Sequence, residues 1–480
     1  MSPKPKVIPL KLVAADPIDL EETSLYEKQK KLYPRWVTGY FNNWRIFFVL
    51  ATQLFFYGVP WLKIDGRQAL LFDLAERKFF IFGLVLLPQD LVYLTALLVI
   101  CAFGLFLWTT VGGRLWCGYS CPQTVYTEIF LWVERWAEGD RPQRIKLDQQ
   151  GMSAHKLARK GLKHTLWIAI SLWTGFTFVG YFVPMQGLSQ ATLLGEVNGW
   201  VYFWMLFYAF ATYGNAGWLR EQVCKYMCPY ARFQSAMFDA DTLVISYDAQ
   251  RGDPRGRRGR HDDPRAKGLG DCIDCQVCVQ VCPVGIDIRN GLQYECIACG
   301  ACIDACDDIM DKMDYPRGLI RYTTQNALDG AYPERAFWSR LRRPRVVLYG
   351  LALAAVVAVV GTAFAQRQPL FASLSRDRGV MAREAEDGLI ENVYLLQLDN
   401  ADDKPHRYQL SASGIEGIEV RVDDARLLAV EGLQTRKLAL RVRAPVGHAT
   451  ARSSHFLLKI AAEDLPGLAI EEKAAFLWPR

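Results

Sequence analysis

Residues 272–307 read CIDCQVCVQVCPVGIDIRNGLQYECIACGACIDACD, and the spacing of their cysteines decides how the chain is understood. The first run is Cys272, Cys275, Cys278 and Cys282, followed by Pro283; the second is Cys296, Cys299, Cys302 and Cys306, followed by Asp307. Each reads C-x2-C-x2-C-x3-C, the ligand spacing of a bacterial ferredoxin with two [4Fe–4S] clusters. Three thiolates on one tight turn grip one cluster, and the fourth cysteine of each run reaches the other. That rule assigns Cys272, Cys275, Cys278 and Cys306 to one cluster, and Cys296, Cys299, Cys302 and Cys282 to the second. Zinc also binds CxxC pairs, but such sites rarely need a third close cysteine. The pattern implies transfer of single electrons.

Working outward, the 480 residues allow several domains. Hydrophobic residues make up 51% and aromatics 12%, high values for a soluble chain. The net charge of +6 is modest and spread out, which argues against a nucleic-acid partner. All thirteen cysteines precede residue 307, and twelve lie in close groups, a usage that suits metal or redox chemistry in a reducing compartment. Cys101 stands apart inside an apolar run and is expected to be packing. Residues 1–43 are polar and charged, so no signal peptide is expected there.

A hydrocarbon core of about 30 Å needs roughly 20 apolar residues, and runs of that kind occur near 45–62, 91–111, 164–184, 197–214 and 346–365. The run 79–87 is shorter, broken by Pro88, Gln89 and Asp90, and reads as re-entrant or as an extension of the second span. Basic residues set direction. Lys28, Lys30, Lys31, Arg35 and Arg45 precede the first span, and nine Lys or Arg residues fill 112–163, whereas 185–196 has none. The expected fold is therefore a multi-domain membrane protein in a bacterial inner membrane. An α-helical bundle of about five spans (44–238, with the last helix at 346–366) follows a cytoplasmic N-terminal segment, 1–43. A cytoplasmic ferredoxin-like α+β insert occupies 239–345, and a domain at 367–480 lies on the periplasmic side.

The insert opens on RGDPRGRRGRHDDPRAKG (251–268), whose Gly, Pro and charge content predicts an unpacked linker, its arginines solvated or facing lipid. In the last domain Ile418, Val420 and Val422 alternate with Glu419, Arg421 and Asp423. Leu438, Leu440 and Val442 repeat the period, as do Phe456, Leu458 and Ile460. Alternation between turn residues predicts a small antiparallel β-sandwich. Its scattered His406, His448 and His455 offer no metal site, so docking is its expected role.

Two further motifs share one form: Cys117-Gly-Tyr-Ser-Cys121-Pro122 and Cys224-Lys-Tyr-Met-Cys228-Pro229. Proline fits the first turn of a helix, so Cys121 and Cys228 should sit at helix N-termini, where the positive field favours thiolate. Val125, Ile129, Trp132 and Trp136 then recur at helical spacing, predicting a helix along the membrane surface. If the copies pack together, four cysteines converge. They could be buried small hydrophobes, a soft-metal site, a third cluster or a dithiol couple; thiolates select Cu(I) in particular. His155 and His164 lie near but are left out of the site. No GxGxxG motif follows a strand, so no bound NAD or FAD is expected.

Taken together, these features resemble the FixG/CcoG-type cytochrome c oxidase accessory proteins along nearly the whole chain. The doubled CxxxCP is shared with NapH- and NosR-like membrane ferredoxins; the alternating C-terminal domain separates this chain from those. The resemblance implies an Ig-like C-terminal domain and a cupric reductase, turning Cu(II) into Cu(I) for assembly of a cbb3-type oxidase. Copper would be held by Cys117, Cys121, Cys224 and Cys228, with electrons relayed by the eight insert cysteines. Implied partners are oxidase assembly factors, copper transporters or chaperones, an electron donor of unknown identity, membrane lipid and a second copy of the chain. Asp307, where many ferredoxins carry proline, departs from the pattern without removing a ligand. A quinol-linked relay of NapH type and a non-enzymatic copper-binding scaffold are the alternatives.

Overall fold

The computed structural model describes residues 31–479 apart from 65, 261, 263–265, 331–340, 377–381, 386–387, 403, 447–451 and 466. Lys28, Lys30 and His448, named above, lie outside the described residues.

The apolar runs fold as helices. They are α1 (Tyr40–Gly58), α2 (Leu91–Gly112), α6 (Ala154–Val179), α8 (Gly199–Thr212) and a last helix, Pro344–Ala365. Between α2 and α6 lie α3 (Leu115–Tyr119), α4 (Pro122–Glu138) and α5 (Arg141–Gln149). Helix α7 (Met185–Leu194) joins α6 to α8, and α9 (Pro229–Met237) follows the second CxxxC. Among the described residues two helices, α2 and Pro344–Ala365, are long and apolar enough by themselves to cross a membrane. The others are interrupted. Helix α1 carries Asn42, Asn43, Arg45 and Gln53, α6 opens on a basic stretch, and α8 passes after Thr212 into π-helical turns at Tyr213–Leu219.

Several expectations change on folding. Residues 79–87 are neither re-entrant nor helical: Leu70–Asp73, Lys78–Ile81 and Leu84–Leu86 form an antiparallel three-stranded sheet. It is tied to the end of α6 by the Phe72 amide, which donates to the Tyr181 carbonyl at 2.7 Å. Helix α4 does not lie free on a surface. Its polar face is enclosed, with Glu128 against Arg45, Glu134 against Arg144 and Arg220, and Glu138 against Lys160 and Lys163. Cys101 packs against nothing in the core; it is exposed on the outer face of α2.

The insert is built on one strand pair, Val244–Tyr247 with Ile320–Thr323, over helices Val277–Gln280 and Ala301–Met313. Both of its ends are pinned to the C-terminal end of α2. On entry, the Leu243 amide donates to the Val111 carbonyl at 3.2 Å; on exit, Arg343 pairs with Asp239 at 2.6 Å and donates to the Thr110 carbonyl at 3.0 Å. Gly113 makes this approach possible, because its φ is +58° and a Cβ there would stand 2.3 Å from the Leu243 carbonyl oxygen. The first part of the expected linker, up to Arg258, is packed, whereas Gly259, Arg260 and 266–268 are exposed as expected. Arg251 pairs with Asp271 at 2.6 Å, Arg255 lies over the Tyr247 ring and Arg258 over Tyr315, so these arginines face the protein rather than lipid or water alone.

At the other end, residues 370–477 form two facing antiparallel sheets. One runs Glu419–Val422, Thr435–Pro445, Leu389–Asn400, Leu370–Arg376, with Arg383–Glu384 added beside Leu389–Asn400. The second runs Ala429–Val430, His406–Ser413, Ser453–Ala462, Ala469–Leu477. Alternation places Leu438, Leu440, Val442, Phe456, Leu458 and Ile460 in one shared core.

Candidate metal centre

The eight insert cysteines line two small cavities. One is bounded by Cys272, Cys275, Cys278 and Cys306, with Tyr247, Arg289 and Met310 around them. The other is bounded by Cys282, Cys296, Cys299 and Cys302, with Cys278 at its margin and an apolar wall of Ile245, Val284 and Ile286. The fourth cysteine of each run thus stands with the first three of the other, the exchange that its spacing predicts. An all-thiol donor set in an apolar enclosure fits iron–sulfur clusters.

The turns holding these thiols are tight. Asp274, Gln276 and Ala298 adopt φ of 52°, 58° and 54°, a left-handed backbone that neighbours must enforce. Arg289 does so for the first turn, pairing with Asp274 at 2.5 Å and Asp287 at 2.7 Å. The Ala298 amide donates to Cys296 Sγ at 3.4 Å. Burial pushes the Cys278 and Cys296 thiols up to about 12, so these groups lose protons when iron binds. Asp307 continues the helix, where proline would have removed an N–H, and its carboxylate accepts from the Gly318 amide at 3.0 Å.

The two CxxxCP motifs come together beside the second cavity. Cys121 and Cys228 are the N-caps of α4 and α9, each followed by proline at the first helical position. All four cysteines are close enough that charge on one is felt by others: Cys121 and Cys228 act on Cys117, and all three act on Cys224. At Cys121 the expected thiolate character is overridden. Burial pushes Cys117 up to about 11 and Cys224 to about 12, and it raises Cys121 despite the Gln123 and Thr124 amides at the helix start. Among the described residues no three His, Cys, Asp or Glu side chains converge on one ion-sized point. A single ion needs sulfurs about 2.3 Å from a common centre, so these four must rotate inward to close around one.

Two partners of this site carry no motif signal. Gln234 on α9, fully buried, stands 3.5 Å from Cys117 Sγ. The buried Arg114 acts on Cys117 and Cys224 in the opposite sense to burial and anchors on the Ala231 carbonyl at 2.5 Å. The segment leading into Cys228 is π-helical at Tyr213–Leu219 and Val223–Met227, a conformation frequent at functional sites. His164 stays out of the thiol group: its Nδ1 lies 3.0 Å from the Tyr213 hydroxyl.

A further connection was invisible in the sequence. The Asp304 carboxylate, between Cys302 and Cys306, accepts from the Phe41 and Asn42 amides at 3.1 and 2.7 Å, capping α1 from the insert. Nearby, the Arg35 amide donates to the Gln280 carbonyl at 2.8 Å. The insert is clamped to the helices, not hung from them.

Comparison with known proteins agrees with this architecture. Residues 219–325 match a family described as a 4Fe-4S dicluster domain, residues 94–138 a 4Fe-4S binding domain, and residues 360–479 the IG-like fold at the C-terminal of FixG. Protein RdxA of Cereibacter sphaeroides is 38% identical over 92% of this chain and 95% of its own length. Protein RdxB of the same organism is 36% identical over 93% and 96%, and nitrogen fixation protein FixG of Rhizobium meliloti is 37% identical over 83% and 82%. With a two-cluster ferredoxin insert, a C-terminal Ig-like sandwich and identity across nearly its full length, the chain belongs to the FixG-like family of iron–sulfur electron-transfer proteins.

Proposed function

We propose that the chain is a multi-pass membrane protein of the bacterial inner membrane that reduces Cu(II) to Cu(I), supplying copper for assembly of a cbb3-type cytochrome c oxidase. One observation carries the reading. The four CxxxCP cysteines lie within reach of one another's charge, and two of them meet the insert: Cys117 packs against its core and Cys224 lines a cavity with Pro283, Val284 and Ile297.

Membrane placement has support from exposed apolar side chains on α1, α2, α6, α8 and the last helix, including Leu54, Val92, Trp173, Phe210 and Val359. These five helices, read as five spans, put both CxxxCP motifs and the insert at one end, on the cytoplasmic side, and the sandwich at the other, in the periplasm.

Bound [4Fe–4S] clusters supply single electrons. Cys272, Cys275, Cys278 and Cys306 would hold one and Cys282, Cys296, Cys299 and Cys302 the other. Cys117, Cys121, Cys224 and Cys228 would take the copper substrate, since soft thiolates favour the monovalent product over the divalent ion. Arg114 offsets part of the charge of a thiolate group there. The test is the Cys117→Ala, Cys121→Ala double variant. It should lose Cu(II) reduction yet keep the visible absorbance of both clusters; full activity in that variant would sink the assignment.

A second reading has its own support. The match of residues 94–138 to a 4Fe-4S binding domain covers Cys117 and Cys121. On that reading the four cysteines hold a third cluster. Anaerobic metal analysis separates the two: about twelve irons per chain favour the third cluster, and about eight plus copper favour the copper site.

A further inference from the structure

The two CxxxCP copies have the same pattern but face different surroundings. In the first, Gly118 lies against the turn of the second cavity. A Cβ at Gly118 would stand 2.7 Å from the carbonyl oxygens of both Ile297 and Ala298, backbone atoms with little room to yield. Its φ lies outside the left-handed region, so glycine is not required for the local backbone. It is required for the approach. The next residue completes the contact. The Tyr119 hydroxyl is 3.3 Å from the Tyr322 hydroxyl, which donates to the Ala298 carbonyl at 2.6 Å. Phe48 and Phe41 close around the two rings, with centroids 5.9 and 5.1 Å away. In the second copy the equivalent residues are Lys225 and Tyr226, and Tyr226 is 66% exposed.

We infer that Gly118 and the Tyr119–Tyr322 hydroxyl pair are the junction through which an electron leaves the second cluster cavity for the four-cysteine site. The inference rests on the function proposed above. Electron tunnelling weakens steeply with distance, and this is the place where the backbone of one thiol loop touches that of the other. The balance is simple: an external one-electron reductant loads the insert, one electron crosses, and Cu(II) at the cysteines becomes Cu(I). No bond forms or breaks. Gly118 and Tyr322 are positioning residues, because neither touches the metal.

The test uses the full chain with its clusters in place, reduced by stoichiometric dithionite and then mixed with Cu(II) in a stopped-flow instrument. Gly118→Ala and Tyr322→Phe should slow recovery of the oxidised cluster absorbance severalfold. Iron content, the electron paramagnetic resonance spectrum and the rate of reduction by dithionite should stay as in the wild type. Lys225→Gly, on the exposed copy, should recover at the wild-type rate. A second readout needs no turnover: in protein with its clusters in place and no copper, iodoacetamide should label Cys117 faster in Gly118→Ala, because the contact is opened. Should Gly118→Ala fail to fold, Tyr322→Phe, which removes one hydroxyl and keeps the ring, carries the test. Wild-type recovery in both variants, alongside abolished recovery in Cys117→Ala, would overturn the junction and leave the proposed function standing. Recovery indifferent to Cys117→Ala would overturn the proposed function and the junction with it.

Discussion

His406 is buried in the sandwich between two carboxylates, its Nδ1 2.7 Å from Asp464 and its Nε2 3.0 Å from Asp402. Burial works against the charged imidazolium, but the two carboxylates outweigh it and raise the group above its ordinary 6.5. A raised folded-state value means that the clamp contributes its full stability below about 6.5 and loses it as pH climbs through the higher folded value. Thermal melts of the sandwich should therefore fall as pH rises above neutral, and His406→Gln should flatten that slope. Glu134 poses the opposite case, a fully buried carboxylate shared by Arg144 and Arg220. Glu134→Ala leaves Arg144 and Arg220 without their carboxylate and should cost about 3–5 kcal/mol in denaturant unfolding, far beyond the effect at an exposed pair such as Lys312–Asp308.

At the scale of elements, how much the sequence disclosed depended on whether the signal was local. Strand alternation is local: the period of two at Leu438, Leu440 and Val442 sends every one of them into the core. Cysteine spacing is local too, and the two cavities collect the eight thiols in the grouping that it dictates. The cap on α1 is not local, because Asp304 is 262 residues from Asn42 and nothing near either residue announces the other. Charge and glycine content likewise misread 251–258, since an arginine that stacks on Tyr315 has the same composition as one in water. Asp304→Ala removes the cap and should destabilise the joint between α1 and the insert by about 1 kcal/mol. Hydrogen exchange at the Phe41 and Asn42 amides should rise, while exchange in the sandwich stays unchanged.

Over the whole molecule, helix α2 connects the two ends. Its carbonyls at Thr110 and Val111 receive the insert's entry and exit, and the buried Asp90 at its start pairs with Arg367, just ahead of the sandwich, at 2.5 Å. Asp90→Ala should cost about 3–5 kcal/mol locally, read as faster hydrogen exchange in Leu84–Leu86 and the first turn of α2. The pinning at Thr110 and Val111 bears on kinetics as well. An iron–sulfur module that swings on a tether must search for its acceptor, and its transfer rate then follows solvent viscosity. Here both hinges are bolted to the same helix end, so internal transfer should be indifferent to added glycerol. Whatever gating this protein has belongs to the arrival of electrons at the insert and their departure from it.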